Sequence, residues 1–128
     1  MKRYTLLYLV TLLVMAALDM AWLLGIAHEF YESRIGDMLE FRLVPAVLFY
    51  LIYIAGVVVF VSGRAARWQA AALYGALFGF VAYGTYDLTN LATLKGWPES
   101  VAVVDMAWGT FNTGFSAAVG WLIARKIR

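Results

Sequence analysis

Between Tyr4 and Ala27 the chain holds a single charged residue, Asp19, in an otherwise apolar run. Three more such runs follow, over about 43–62, 68–94 and 100–124. Each has about 20 residues or more, enough for an α-helix to cross a hydrocarbon core of about 30 Å. This feature constrains the fold most, because backbone N–H and C=O groups in lipid must pair internally, which leaves helices and closed barrels. Barrel strands alternate apolar and polar residues, whereas these runs are continuously apolar. The expectation is therefore one all-α domain over residues 1–128, an integral membrane four-helix bundle with spans of about 4–27, 43–62, 68–94 and 100–124. Composition agrees, with 64% hydrophobic and 14% charged residues, against roughly 45–50% and 25% in soluble domains. Four spans use most of the 128 residues, so function has to sit inside the membrane or in short loops.

Pro45 falls in the first turn of the second span, where its missing N–H does no harm. Ser62-Gly63 closes that span, and Lys95-Gly96-Trp97-Pro98-Glu99 breaks the third from the fourth. Lys2-Arg3 before an apolar run resembles the start of a signal peptide. The run, however, continues past Asp19 to Ala27, beyond a signal core of roughly 7–15 residues, and no small-x-small cleavage site ends it. Seven of the ten basic residues, Lys2, Arg3, Arg64, Arg67, Arg125, Lys126 and Arg128, fall on one side of this arrangement. Arg34, Arg42 and Lys95 fall on the other. The positive-inside rule then places both termini in the cytoplasm and the acidic segment His28–Arg42 outside. Within that segment Ile35, Met38, Leu39 and Arg42 stand at helical spacing, which fits a short interfacial helix or a solvated loop.

Three carboxylates lie within the spans: Asp19, Asp87 and Asp105. A charge at the bilayer centre costs about 2.5–3.5 kcal/mol on the lenient insertion scale, so each acid calls for a reason. Counting about 1.5 Å per residue from the span ends puts all three in the outer third of the hydrocarbon. Asp19-Met20-Ala21-Trp22 recurs as Asp105-Met106-Ala107-Trp108, and a Trp three residues after an Asp shares its helix face. Asp87-Leu88-Thr89-Asn90 holds the matching place on the third span, with Tyr83 and Tyr86 nearby, and Asn112 continues the face on the fourth. Together these residues predict an acidic, aromatic-lined pocket with no deep Lys, Arg or His to neutralise it. The plain alternative is that protonated Asp residues hydrogen-bond between helices and bind nothing.

Other features have structural readings. Trp68, Trp97 and Trp121 fall near span ends, at headgroup level. Gly75 and Gly79 make a G-x-x-x-G, and Gly109, Asn112, Ser116 and Gly120 share a face of the fourth span, both patterns of close helix packing. His28 alone at a span end reads as interfacial, since metal sites need several donors. No cysteine is present, which removes disulfides and thiolate chemistry. No metal and no cofactor are expected. A net charge of +2 gives no sign of a nucleic-acid partner. A shift of 68 residues lays Asp19 on Asp87 and Asp37-Met38 on Asp105-Met106, a sparse internal match.

The stretches Asp19–Trp22, Tyr83-Gly84-Thr85-Tyr86-Asp87-Leu88-Thr89-Asn90 and Val104–Gly109 resemble a family of small bacterial membrane proteins catalogued as a domain of unknown function. The resemblance covers essentially the whole chain. It implies a bacterial inner-membrane location and four helices, and it brings no reaction.

The residues themselves point first to binding or transport of a proton, cation or amphipathic amine. Asp19, Asp87 and Asp105 would exchange the charge, Trp22 and Trp108 would add cation–π contacts, and Asn90 and Asn112 would orient the ligand. A four-helix protomer is small for a pathway, so transport implies a homodimer. The second reading is an enzyme using paired Asp as general acid and base on a lipid or isoprenoid substrate. The third is an assembly subunit of a larger complex, with membrane lipids as neighbours throughout. Orientation is directly testable. Cysteines placed at Ser33 and Ser100 should react with an impermeant thiol reagent in intact cells, and one at Gly63 should not. Reversed labelling would overturn the assignment.

Overall fold

The computed structural model describes residues 2–127, so Arg128, counted above among the inward basic residues, lies outside the described residues. The described residues form helices and no strand. Helix α1 (Lys2–Ala21) runs on into a π-helical turn, Trp22–Ile26. Helix α2 (His28–Ile35) is short and ends in a 3-10 turn, Gly36–Met38. Helix α3 (Leu43–Val57) runs into a second π-helical turn, Val58–Ser62. Helices α4 (Trp68–Thr93) and α5 (Glu99–Ala124) complete the chain.

The segment between the first two long helices is helical, but over a different stretch from the one its spacing indicated. Ile35 is in α2, Met38 is in the 3-10 turn and Leu39 is extended. The reason lies in the buried stripe. Ala27, Tyr31 and Ile35 recur every four residues and pack with Val101, against Trp22, Phe30 and Trp97. Gly36 follows as the C-cap, so the helix stops where its apolar stripe stops.

Helix α5 is the centre of the packing, and its two small-residue faces serve two neighbours. Toward α4, a Cβ on Gly75 would stand 3.0 Å from the Ala117 Cβ and 3.1 Å from the Gly114 Cα. A Cβ on Gly79 would overlap the Gly109 carbonyl. Toward α1, Asn112 meets Met15 and Asp19, and Gly120 meets Thr11. Small residues let the backbones close up where no hydrophobic force draws helices together in lipid. Helix α3 joins through longer side chains. The Tyr53 hydroxyl is 2.8 Å from the Thr113 hydroxyl, and the Tyr8 hydroxyl donates to the Leu51 carbonyl at 2.9 Å. The Gly63 N–H closes the second π turn on the Val58 carbonyl at 2.8 Å, and a Cβ on Gly63 would collide with that carbonyl.

Lys2–Ile26 and Leu43–Ser62 are long and apolar enough to cross a membrane, and only 17% and 28% of their apolar windows are buried. A core helix of a soluble protein would be mostly covered. Helices α4 and α5 have the length, 26 residues each, yet are less apolar on average. Their inward faces carry Gly, Thr, Asn, Ser and Asp, and their outward faces carry exposed Leu73, Phe80, Val103 and Phe111.

Two tests follow from this packing. Gly79→Ala should lower thermal stability in detergent by about 1–3 kcal/mol, the usual cost of overpacking. Gly25→Ala, with nothing within 4 Å of the added methyl, should leave stability unchanged or raise it. Equal midpoints for the two variants would contradict the close α4–α5 contact. For the labelling experiment, exposed Ala66 serves better than Gly63, whose backbone position excludes a side chain.

Candidate functional site

The buried residues of α1 are Leu7, Thr11, Met15 and Asp19, one per turn, so Asp19 continues a packing stripe toward α5. Its carboxylate accepts three hydrogen bonds there. Oδ1 accepts from the Trp108 indole N–H at 2.8 Å and from the Asn112 amide at 3.0 Å. Oδ2 accepts from the Tyr50 hydroxyl of α3. Ser116 in turn donates to the Asn112 amide oxygen at 3.0 Å. Asp19 therefore ties three helices at one level.

The two Asp-Met-Ala-Trp stretches meet head to tail. Trp22 and Trp108 stack with ring centroids 4.4 Å apart and planes 5° from parallel. Each indole N–H serves the opposite motif. Trp108 donates to Asp19 directly, and Trp22 donates at 3.3 Å to the Tyr31 hydroxyl, which donates to Asp105 Oδ1 at 3.0 Å. Burial, with Asp105 beside it, pushes the Tyr31 phenol well above its ordinary range, so it stays a proton donor at neutral pH.

Asp87 differs from both other acids. It is fully buried, and neither carboxyl oxygen receives an N–H or hydroxyl donor among the described residues, its side-chain partner being the Asp105 carboxyl group. Its charged neighbour is Asp105 across the α4–α5 contact. An ionised carboxylate left so is costly, which calls for a proton or a cation. Asp105 in turn opens onto a cavity of about 760 Å³, inside the roughly 300–1,000 Å³ of small-molecule sites. Its walls are largely apolar, with Leu23 and Leu24 from the first π turn, Ile35, Phe49 and Val101. Tyr31, Tyr83, Tyr86 and Trp97 supply aromatic surface. The other polar lining residues are His28, Glu32 and Glu40, and among the described residues no Lys or Arg lines the space. No group of three His, Asp or Glu side chains among the described residues is placed to hold a metal ion.

The nine sequence-derived positions thus divide into two sets. Asp19, Asn112, Trp108 and Trp22 form the interhelix network, one to two turns deeper along α5 than Asp105 for the first three. Tyr83, Tyr86 and Asp105 line the cavity, with Asp87 behind Asp105. Asn90, the ninth, lies beside Tyr86 and does not line the cavity. The stacked indoles present a face to each other, and neither lines the cavity. Sequence reasoning passed over Tyr31 and Tyr50, the two phenols that bind the acids, and Trp97, which stands edge-on to Tyr86 at 5.7 Å. Tyr50 and Tyr53, three residues apart in an apolar span, were the available signal, since buried phenols need partners.

Asp19→Ala should destabilise the protein by roughly 1–3 kcal/mol for each donor left unpaired. Asp19→Asn should cost far less, because the amide oxygen still accepts from Trp108 and Asn112 while the amide nitrogen donates to the Tyr50 oxygen. Equal losses of thermal stability would contradict the network.

Compared with curated proteins and with solved structures, the chain shows no significant match to either. The profile of one family, described as "Predicted membrane protein (DUF2177)", matches residues 4–122, a match that spans both Asp-Met-Ala-Trp stretches and all three acids. The chain belongs to this family of predicted membrane proteins, a domain family of unknown function.

Proposed function

We propose that the chain crosses the bacterial inner membrane four times, with both termini cytoplasmic, and binds a cation in its outer-leaflet cavity in exchange for a proton. Transport of that cation, by a homodimer, is the activity this chemistry serves best. The observation that carries the reading is Asp87, fully buried against Asp105, which faces a cavity that no Lys or Arg among the described residues lines. Support for four spans comes from the exposed apolar side chains on α1, α3, α4 and α5 alike, a surface that suits lipid. The basic residues at the turn Arg64–Arg67 and at both ends support the orientation.

In the empty site Asp87 and Asp105 share a proton, because two adjacent carboxylates in apolar surroundings cannot both carry charge cheaply. An arriving cation replaces the proton. The groups facing the pair are Tyr31 of α2, Tyr83 and Tyr86 of α4, and more distantly Asp19 of α1. The cavity onto which Asp105 opens adds Glu32, Glu40 and His28, and His28 is the one base among these groups. Asp19 holds the helices, and Tyr83 and Tyr86 form the wall.

The test measures binding of Na⁺, tetraphenylphosphonium and dodecylamine against pH. If one proton leaves per cation, affinity for a bound probe should rise by up to about tenfold per pH unit while the site is protonated. Asp87→Asn and Asp105→Asn should flatten that dependence, and Asp19→Asn should keep it. Unchanged pH dependence in both of the first two variants would overturn the reading.

A second reading has one observation in its favour. Asp87 and Asp105 occupy unequal surroundings, one sealed and one open to the cavity, as an acid–base pair requires. Conversion of a membrane lipid extract that depends on both residues, followed by mass spectrometry, would favour an enzyme.

A further inference from the structure

We propose that the cavity takes the ammonium group of a single-chain amphiphile, a long-chain primary amine, which displaces the Tyr31 hydroxyl from Asp105. This rests on the cation-binding reading above and narrows it to one ligand class.

The donor set argues against a bare metal ion. An inorganic cation needs several oxygen ligands to replace its hydration shell. Here one carboxylate of the pair, Asp105, opens into a largely apolar space whose other ionisable side chains are His28, Glu32 and Glu40, beside the tyrosines. A primary ammonium has the opposite requirement, since it carries three N–H donors and no acceptor. Of the two acids Asp105 lines the cavity, and its Oδ1 accepts from Tyr31 at 3.0 Å, while Asp87 lies fully buried behind it. Once the Tyr31 hydroxyl leaves, the Asp105 carboxylate offers acceptors that match an N–H-bearing cation in sign. The other acidic groups on the lining, Glu32 and Glu40, are of the complementary sign, and His28 is the titratable base beside them.

The walls account for the chain. Leu24 and Phe41 line the cavity and are also 68% and 80% exposed. The apolar part of the wall thus reaches the outer surface, which on the reading above faces lipid. An amphiphile resting in the outer leaflet can keep its chain on this apolar side while its head group reaches Asp105. The volume, about 760 Å³, falls in the range of drug-sized ligands, which a two-chain phospholipid exceeds.

Tyr31 supplies the reporter. Its hydroxyl occupies one oxygen of Asp105, and both residues line the cavity, so it competes with a ligand that binds that carboxylate. A residue that merely lined the site would weaken binding when trimmed, whereas a competitor strengthens it.

The experiment uses the full chain in phosphatidylcholine nanodiscs with radiolabelled dodecylamine, subtracting uptake by empty nanodiscs. Saturable binding is expected. Asp105→Asn should weaken it by roughly thirtyfold or more, the lower end of the cost of removing one partner of a buried charge pair. Tyr31→Phe should tighten it by about 2–10-fold, the worth of one hydrogen bond. Dodecanol lacks the charge, methylammonium lacks the chain and dodecyltrimethylammonium lacks the N–H donors, so none should compete well. Methylammonium or Na⁺ competing as effectively as dodecylamine would overturn the amphiphile and leave the cation exchange intact. Weaker binding in Tyr31→Phe would overturn the displacement. Should Asp105→Asn fail to fold, Tyr31→Phe and the competitor series still decide. Flat pH dependence in the parent protein would instead defeat the cation exchange itself.

Discussion

A carboxylate buried between helices holds this structure in register. Asp19 collects donors from Tyr50 on α3 and from Trp108 and Asn112 on α5. In lipid such interhelix bonds are each worth about 0.6–2 kcal/mol, and apolar contact between helices gives little specificity of its own. Three bonds to one group therefore set the height of α1 and α3 against α5. With that level fixed, Trp108 lies beside Trp22, and the indole stack positions the top of α1. Helix α4 then closes on the other side of α5 through Gly75 and Gly79.

The consequence for chemistry is a division of labour among three acids. Asp19 accepts from three donors on two neighbouring helices, an arrangement that suits a role in the fold. Asp87 has none, and Asp105 has one, from a tyrosine on a short helix outside the long ones. The first π turn contributes to this arrangement. Within its five residues Trp22 turns onto Trp108 while Leu23 and Leu24 line the cavity. π-Helical turns recur at functional sites because they break the regular face of a helix, and here the break separates the structural contact from the cavity wall.

Much of this was legible in the residues. The apolar runs marked the long helices and the G-x-x-x-G marked a close helix contact, while the two Asp-Met-Ala-Trp stretches, read as pocket lining, instead stack on each other between α1 and α5. The acids stood out because charge is rare in such runs. What the sequence did not reveal was who binds whom. Depth counting put Asp19, Asp87 and Asp105 at one level, but hydrogen bonding depends on rotation about each helix and on partners distant in the chain. Tyr50 and Tyr31, which select the role of Asp19 and Asp105, are 31 and 74 residues from them. Indole rings that could face a cation face each other instead, because stacking two large rings between small-residue helices fills the space better than either could alone. Helix α2 ended early because a glycine follows Ile35, a local signal that the apolar spacing beyond it masked.

The central claim is that Asp87 and Asp105 hold a proton which the cation displaces, while Asp19 takes no part. Infrared difference spectroscopy of the protein with and without dodecylamine reads this directly through the carbonyl stretch of a protonated carboxyl group. The account predicts that ligand addition removes one such band in the parent and in Asp19→Asn, and that Asp87→Asn and Asp105→Asn no longer show the loss. A band that persists on ligand addition, or that disappears unchanged in the Asp87 and Asp105 variants, would contradict it.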